Sequence, residues 1–339
     1  MNLVRAELER LSARRFVQLM VVLLALAFAV TAATTLAGSH KPSADELSSA
    51  RAQATEARQS LETTFQQCLA RRNGTLPPSD TEEYFPADCS EIDPIRQERL
   101  PIAADFLPGV FSFAEQARPL LYFLIAFLVL FGFLVGASYI GADLNSGGVV
   151  NLLLWRPRRM TVLGTKLGTL LGTVLALAVA ASLVYLATFW VIGQTAGLAG
   201  RLSGDFWRSL AAVHGRGLVL VLLASAVGFG IATLGRHTSA ALGALAAYAV
   251  VWELGARLVL TIVDAPRPDQ LMLSSYIGAW LNGGARFYDH RVCAGSNGYD
   301  TYCDGAYTLA GAPALVVLLV LTGGLTAAAF AVFRRRDLI

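Results

Sequence analysis

Charge is scarce in this chain. Asp, Glu, Lys and Arg make up 15% of its 339 residues, against 55% hydrophobic ones, which is more apolar surface than a water-soluble fold of that length buries. Lipid is therefore the expected solvent. The net charge is only +3, and the basic residues gather beside apolar runs instead of forming one stripe, so nucleic acid is not an expected partner. Cysteine and histidine are also sparse. Cys68, Cys89, Cys293 and Cys303 include no CxxC pair, and His40, His214, His237 and His290 pair with none of them at zinc-site spacing, so no metal is expected. The phosphate-binding pattern GxxxxGK[ST] is absent, since Lys166 follows Thr165 with no glycine directly before it; ATP hydrolysis by this chain is thereby excluded. The apolar runs also lack the facing His and Glu, or Ser and His, that an intramembrane enzyme needs, and no internal repeat of the secondary-transporter kind is visible.

What is present is a series of long apolar runs. Crossing the hydrocarbon core takes about 20 helical residues, because only a helix satisfies its own backbone there. Spans are expected at 16–37, 119–141, 161–192, 210–235, 238–263 and 309–333. The first could be mistaken for a secretory leader, but its length and the acidic Glu7 and Glu9 in its basic flank favour a retained span. Basic residues flank one side of all six: Arg5, Arg10, Arg14 and Arg15, then Arg156, Arg158, Arg159 and Lys166, then Arg236, then Arg334, Arg335 and Arg336. The positive-inside rule puts both termini, and the tail 334–339, in the cytoplasm. All four cysteines then fall outside, where disulfides persist.

The fold class expected is thus an all-α polytopic membrane protein with six transmembrane helices and both termini inside. Segment 38–118 reads as a small disulfide-stabilised ectodomain. In it Ser43 with Glu46 forms a capping-box pattern, and Leu47, Ala50, Ala54, Ala57, Leu61, Phe65 and Cys68 make one apolar helix face ending at Asn73-Gly74. From there to Pro119 the composition predicts irregular structure. A short outer loop is expected at 193–209, and a second outer segment at 264–308 contains 271–281, too short to span and suited to an interfacial or re-entrant helix. Local pairing predicts the disulfides Cys68 to Cys89 and Cys293 to Cys303, with pairing between the two outer segments as the alternative.

The cytoplasmic segment 142–160 carries the densest pattern: Asp143-Leu144-Asn145-Ser146-Gly147-Gly148-Val149-Val150-Asn151-Leu152-Leu153-Leu154-Trp155-Arg156-Pro157-Arg158-Arg159, preceded by Gly141-Ala142. A small residue and an acid, a glycine turn, an apolar helix ending in Leu-Leu, a Pro with Arg after it and a Lys opening the next span follow in order. This order resembles ABC-2 type permeases, the transmembrane subunits of ATP-driven exporters. Asp143, Gly147, Leu152, Leu153, Pro157, Arg159 and Lys166 occupy the matching places, while Gly148 and Val149 stand where the family usually has a hydroxyl. Residues 1–15, with Leu3, Val4, Leu8 and Leu11 on an apolar face, resemble the family's elbow helix. The short connection Gly235-Arg236-His237-Thr238 and the ending Phe333-Arg334-Arg335-Arg336-Asp337 resemble its other cytoplasmic features. The ectodomain is not covered by the resemblance.

The resemblance implies a coupling helix in 142–160 that docks on a separate cytoplasmic ABC ATPase subunit, which binds ATP and Mg; this chain would carry no cofactor. Asp143, Gly147, Asn151, Leu152, Leu153, Trp155, Arg156, Pro157 and Arg159 are the residues implied, with Leu152, Leu153 and Trp155 as an apolar ridge and the arginines setting register. The alternative is a basic loop resting on lipid headgroups. A second copy of the chain, or a homologous permease, would complete the path, within a multi-pass plasma-membrane complex. Phe123, Phe127 and Phe131 on the second span and Tyr248 and Trp252 on the fifth form stripes that either line an apolar route or pack against helices and lipid. Glu253 and Arg257 are four apart, a spacing for an ion pair that either lines the path or is structural. Gly164, Gly168 and Gly172 form a smooth face expected to pack within the subunit, with packing across a dimer as the alternative. The mostly neutral spans suit an amphipathic or hydrophobic substrate such as a drug, peptide antibiotic or lipid-like molecule. The competing readings are a secondary transporter and a membrane-anchored sensor or scaffold that displays an ectodomain.

Overall fold

The computed structural model describes residues 3–75, 89–97, 99–146, 158–289 and 306–335. Six of its helices are long and apolar enough to cross a membrane: α2 (Arg15–Ala37), α4 (Phe113–Asn145), α5 (Arg159–Thr195), α6 (Gly204–Gly235), α7 (Thr238–Ile262) and α9 (Gly311–Arg335). The other helices are α1 (Leu3–Ser12), the long polar α3 (Ala44–Arg72) and α8 (Leu273–Asn282). Several spans overrun the apolar windows. α4 begins ahead of Pro119, a residue that costs a helix interior about 3 kcal/mol, because Phe113 and Ala117 are fully buried and hold its first turns.

The chain divides into two compact units. The first, from Met1–Val30, Ala117–Ala187 and Leu202–Ile339, contains the helical bundle. At its centre lie α4 and α6, each with 56% of its apolar window buried, whereas α2 and α7 have none buried. The close approach of the central pair is made by glycine. A methyl group at Gly136 of α4 would overlap the Ser225 carbonyl oxygen of α6, and one at Gly228 of α6 would overlap the Phe133 carbonyl of α4, so the two backbones are in van der Waals contact.

The glycines of α5 behave otherwise. A methyl at Gly164, Gly168 or Gly172 would meet nothing described within 4 Å, so the expectation that this stripe packs within the subunit is corrected. α5 turns inward the face bearing Leu163, Lys166, Leu170, Val174 and Ala178, all buried. That bulkier stripe buries more apolar surface than a glycine ridge would, and the ridge is left open among the described residues.

The fifth span holds a second departure. Tyr248–Ala256 is π-helical, and i→i+5 bonding aligns residues five apart instead of four. Tyr248 Oη accordingly donates to Glu253 Oε1 (2.8 Å), and Ser274 N and Oγ donate to the same carboxylate (3.0 and 2.8 Å). Arg257 pairs with Asp269 at 3.0 Å. The expected pairing of Glu253 with Arg257 is therefore replaced by contacts from each to the segment that follows the span.

That segment contains α8, formed over the semi-apolar stretch read as an interfacial or re-entrant helix and capped by Gly283 at φ +83°. Strand β3 (Gly284–Tyr288) then pairs antiparallel with β4 (Ala306–Ala310), Gly284 opposite Ala310. This hairpin departs from the all-α expectation, though the fold is mostly helical. Cys293 and Cys303, expected to pair with each other, lie outside the described residues. A non-reduced peptide map is expected to link them, and a link from either to Cys68 or Cys89 would refute local pairing.

The second unit, Thr31–Gln116 with Thr188–Arg201, is built on α3. Ser43 Oγ accepts from Glu46 N (3.2 Å) and Glu46 Oε2 accepts from Ser43 N (2.6 Å), a complete capping box. The Ser43 backbone N–H holds the Glu46 carboxyl below its ordinary range. Ala50, Ala54 and Cys68 are buried along one face, and Asn73 caps the C-terminus. Cys68 is bonded to Cys89 (Cα–Cα 5.8 Å), and Arg58 Nε donates to the Pro101 carbonyl at 2.7 Å. Two short strands, β1 (Phe111–Ser112) and β2 (Gly197–Leu198), pair in parallel as a second departure from all-α.

Candidate functional site

Around the segment 142–160 the bundle buries a set of charges. Lys166, near the start of α5, is 1% exposed, and its ammonium lies 2.7 Å from Glu7 Oε2 of α1 and 2.7 Å from Asp143 Oδ2 in the last turn of α4. Arg14, between α1 and α2, pairs with Asp143 Oδ1 and donates to the Ser138 carbonyl at 3.1 Å. Tyr139, fully buried, donates its hydroxyl to Glu7 Oε2. Its ring lies under both cations, 5.1 Å from the Arg14 guanidinium carbon and 4.8 Å from the Lys166 nitrogen. Arg10 reaches Glu7 Oε1 from the rim at 3.4 Å.

Two acids and two bases thus balance at the core, with a phenol filling the lone pair that the bases leave. Burial of any one ion alone would cost several kcal/mol, which only a fully paired set offsets. Lysine occurs at just two positions in the chain, Lys41 and Lys166, while arginine supplies every other fixed cation. The choice has a physical reason. A compact ammonium with three donors can bridge two carboxylates from different helices, where a planar guanidinium would need more room.

The cluster ties α1, the base of α2, the end of α4 and the start of α5 to one another. Those last two are the feet of the segment between the second and third spans, so both of its anchor points are fixed to the N-terminal helix. The connection from α6 to α7 also reaches this place: a methyl at Gly141 would sit 2.6 Å from Thr238 N, and the connection turns through Arg236 in the left-handed region at φ 61°.

Of the coupling residues expected from the sequence, the structure brings Asp143 into the cluster and sets Arg159 at the start of α5. Gly147, Asn151, Leu152, Leu153, Trp155, Arg156 and Pro157 lie outside the described residues. Sequence reasoning overlooked Glu7 and Tyr139. It took Leu3, Val4, Leu8 and Leu11 as the working face of α1, but Val4 and Leu8 are about half exposed while Glu7 and Leu11 are buried. The signal was the spacing Glu7, Leu11, Arg14, which puts an acid and a base on one face. Of the expected pathway residues, Tyr248 and Glu253 are hydrogen-bonded to each other, Phe123 is exposed, Phe131 is buried, and Trp252 donates its indole N–H to the Leu271 carbonyl at 3.0 Å.

Six apolar helices, with the feet of the segment between the second and third locked by buried charges, define a multi-pass helical membrane protein. The chain belongs to the ABC-2 transporter family: the family described as ABC-2 family transporter protein matches it over residues 1–338. It is a membrane-spanning permease, the transport component of such systems and not the catalytic one. No curated protein and no solved structure matches the chain.

Proposed function

We propose that the chain is the permease subunit of an ABC-2 type exporter that works with separate cytoplasmic ATPase subunits and a second permease half, by default another copy of itself. The observation that carries this reading is the buried cluster at the feet of segment 142–160. A loop that only rested on lipid would need no clamp, whereas a loop that receives force from a partner must pass it to the spans through rigid anchors. Glu7, Arg14, Asp143 and Lys166 supply those anchors, so displacement of the loop would move α1, α4 and α5 together. ATP and Mg would be bound by the partner, whose hydrolysis supplies the driving energy. The substrate class favoured by the neutral, apolar spans is an amphipathic or hydrophobic molecule.

In this reading the basic clusters face the cytoplasm, both termini are inside, and the complex sits in the plasma membrane. A reporter fused at Arg158 is expected to signal from the cytoplasm, and signal from outside would reverse the topology. Affinity purification of the tagged chain from its native membrane in mild detergent is expected to bring down an ABC ATPase in equal copy number. Recovery of the intact chain with no ATPase under crosslinking would favour the secondary-transporter or scaffold reading instead.

A further inference from the structure

Midway along the bundle an apolar cavity of about 310 Å³ lies between α4, α6, α7, α8 and α9, within the size range of small-ligand pockets. Its wall includes Ala126, Val129 and Phe133 of α4 and Leu220, Leu223 and Val227 of α6; Thr322 is its one hydroxyl-bearing residue. Tyr122 lies one turn before Ala126 on the same face of α4, and Arg216 one turn before Leu220 on the same face of α6, about 6 Å along the axis. Both wall faces therefore end, at the same mouth, in a polar side chain.

Arg216 is the unusual one. It is half-buried in a membrane-spanning helix, and among the described residues no acid pairs with it. Among the described residues its guanidinium makes one hydrogen bond, a long one of 3.5 Å, to the Leu281 carbonyl at the C-terminus of α8. Its guanidinium packs on Gly283, where a methyl would come within 2.8 Å of Nη1, and Trp280 Nε1 donates to the Arg216 carbonyl at 3.0 Å. The fork thus packs against the end of α8, with most of its five donors unused by the described residues. By contrast, Tyr122 and Asn282 at the rim are satisfied, Tyr122 Oη donating to Asn282 Oδ1 at 2.6 Å and Asn282 Nδ2 to the Gly278 carbonyl at 2.9 Å. A positioned cation beside a greasy cavity matches one ligand chemistry, an acyl chain bearing an anionic head. The cavity wall also holds Leu130, Ile277 and Leu321, which are 49%, 36% and 55% exposed, so it opens sideways onto hydrocarbon and not onto water.

We propose that this cavity holds an anionic glycerophospholipid of the surrounding bilayer, with its phosphate on Arg216 and one acyl chain between α4 and α6. The proposal does not depend on the coupling role assigned to segment 142–160. Its test uses the full chain in mild detergent and phosphatidylglycerol with a photoreactive acyl chain. Label is expected in peptides carrying residues 126–133 and 220–227, and an excess of unlabelled phosphatidylglycerol should remove it while the same excess of phosphatidylcholine leaves most of it. Absence of label from both peptides would overturn the site, and equal displacement by the two lipids would overturn the anionic headgroup assignment. In native mass spectrometry, phosphatidylglycerol should bind at least tenfold tighter than phosphatidylcholine of the same chains. Arg216→Gln should abolish that preference while Arg216→Lys keeps most of it, and Ala224→Phe, which fills the cavity, should weaken both lipids. An Arg216→Gln protein that retains the wild-type preference would refute the headgroup contact.

Discussion

Replacing Lys166 with methionine is expected to cost the folded protein about 3–5 kcal/mol, the penalty for leaving a buried charge without its partner. In the wild type Lys166 neutralises Glu7 and shares Asp143 with Arg14. Without the ammonium, Asp143 keeps Arg14, but Glu7 keeps only the Tyr139 hydroxyl and the distant Arg10. Removing both ends of the broken pair should undo most of the damage, since the cost arises from the orphaned acid and not from the lost attraction. Lys166→Met with Glu7→Gln is therefore expected to recover more than half of the thermal stability, with the amide still able to accept from Tyr139. Lys166→Arg, which keeps the charge, should remain destabilised because the larger guanidinium does not fit between two carboxylates set for an ammonium. Melting curves of the four proteins in one detergent decide this. A double variant no better than Lys166→Met would mean that the acid is not what the lysine answers to.

Substitution at Gly136 or Gly228 should be nearly as damaging, for a different reason. A side chain at either meets backbone carbonyl of the facing helix, which cannot turn aside as a side chain would, so Gly136→Val and Gly228→Leu are expected at or above the roughly 1–3 kcal/mol usual for overpacking. Gly168→Leu, on the open face of α5, should change stability by less than about 0.5 kcal/mol. The comparison is read as loss of the monodisperse peak on heating. Equal tolerance at Gly136 and Gly168 would contradict the close crossing of α4 and α6.

The contrast between these glycines shows what sequence could and could not reveal. Gly132 and Gly136 repeat at the same interval as Gly164, Gly168 and Gly172, yet the first pair is pressed against α6 and the second set touches nothing described. Spacing tells which residues share a face, and only packing tells which face is covered. The six spans were legible because twenty apolar residues have few other uses, and the cap at Ser43 because its geometry is local. The π-helical turn over Tyr248–Ala256 was not legible: hydropathy is indifferent to a change of register, and the expected Glu253 to Arg257 pair failed for that reason. The hairpin joins strands on either side of the seventeen residues 289–305, and nothing local to Gly284 or Ala306 points to the other. Within the site, Asp143 and Lys166 were recognisable from their family-like places. Glu7 was passed over because an acid in a basic flank was read as a topology signal.

Under the proposed function, segment 142–160 would carry the partner's work into the spans, through Leu152, Leu153 and Trp155 lodged in a cleft of the ATPase. Apolar residues near the centre of such an interface are expected to dominate its energy, above about 2 kcal/mol at a hot spot, while Arg156, Arg158 and Arg159 at the rim would govern assembly rate and salt sensitivity. The most direct measurement is permease-dependent ATP hydrolysis by the complex reconstituted in proteoliposomes, with the wild-type chain and with Leu153→Ala combined with Trp155→Ala. The double variant is expected to insert, fold and melt like the wild type, yet to lose its ATPase subunit or the stimulation of hydrolysis. A double variant that assembles and couples like the wild type would contradict the docking role of this loop.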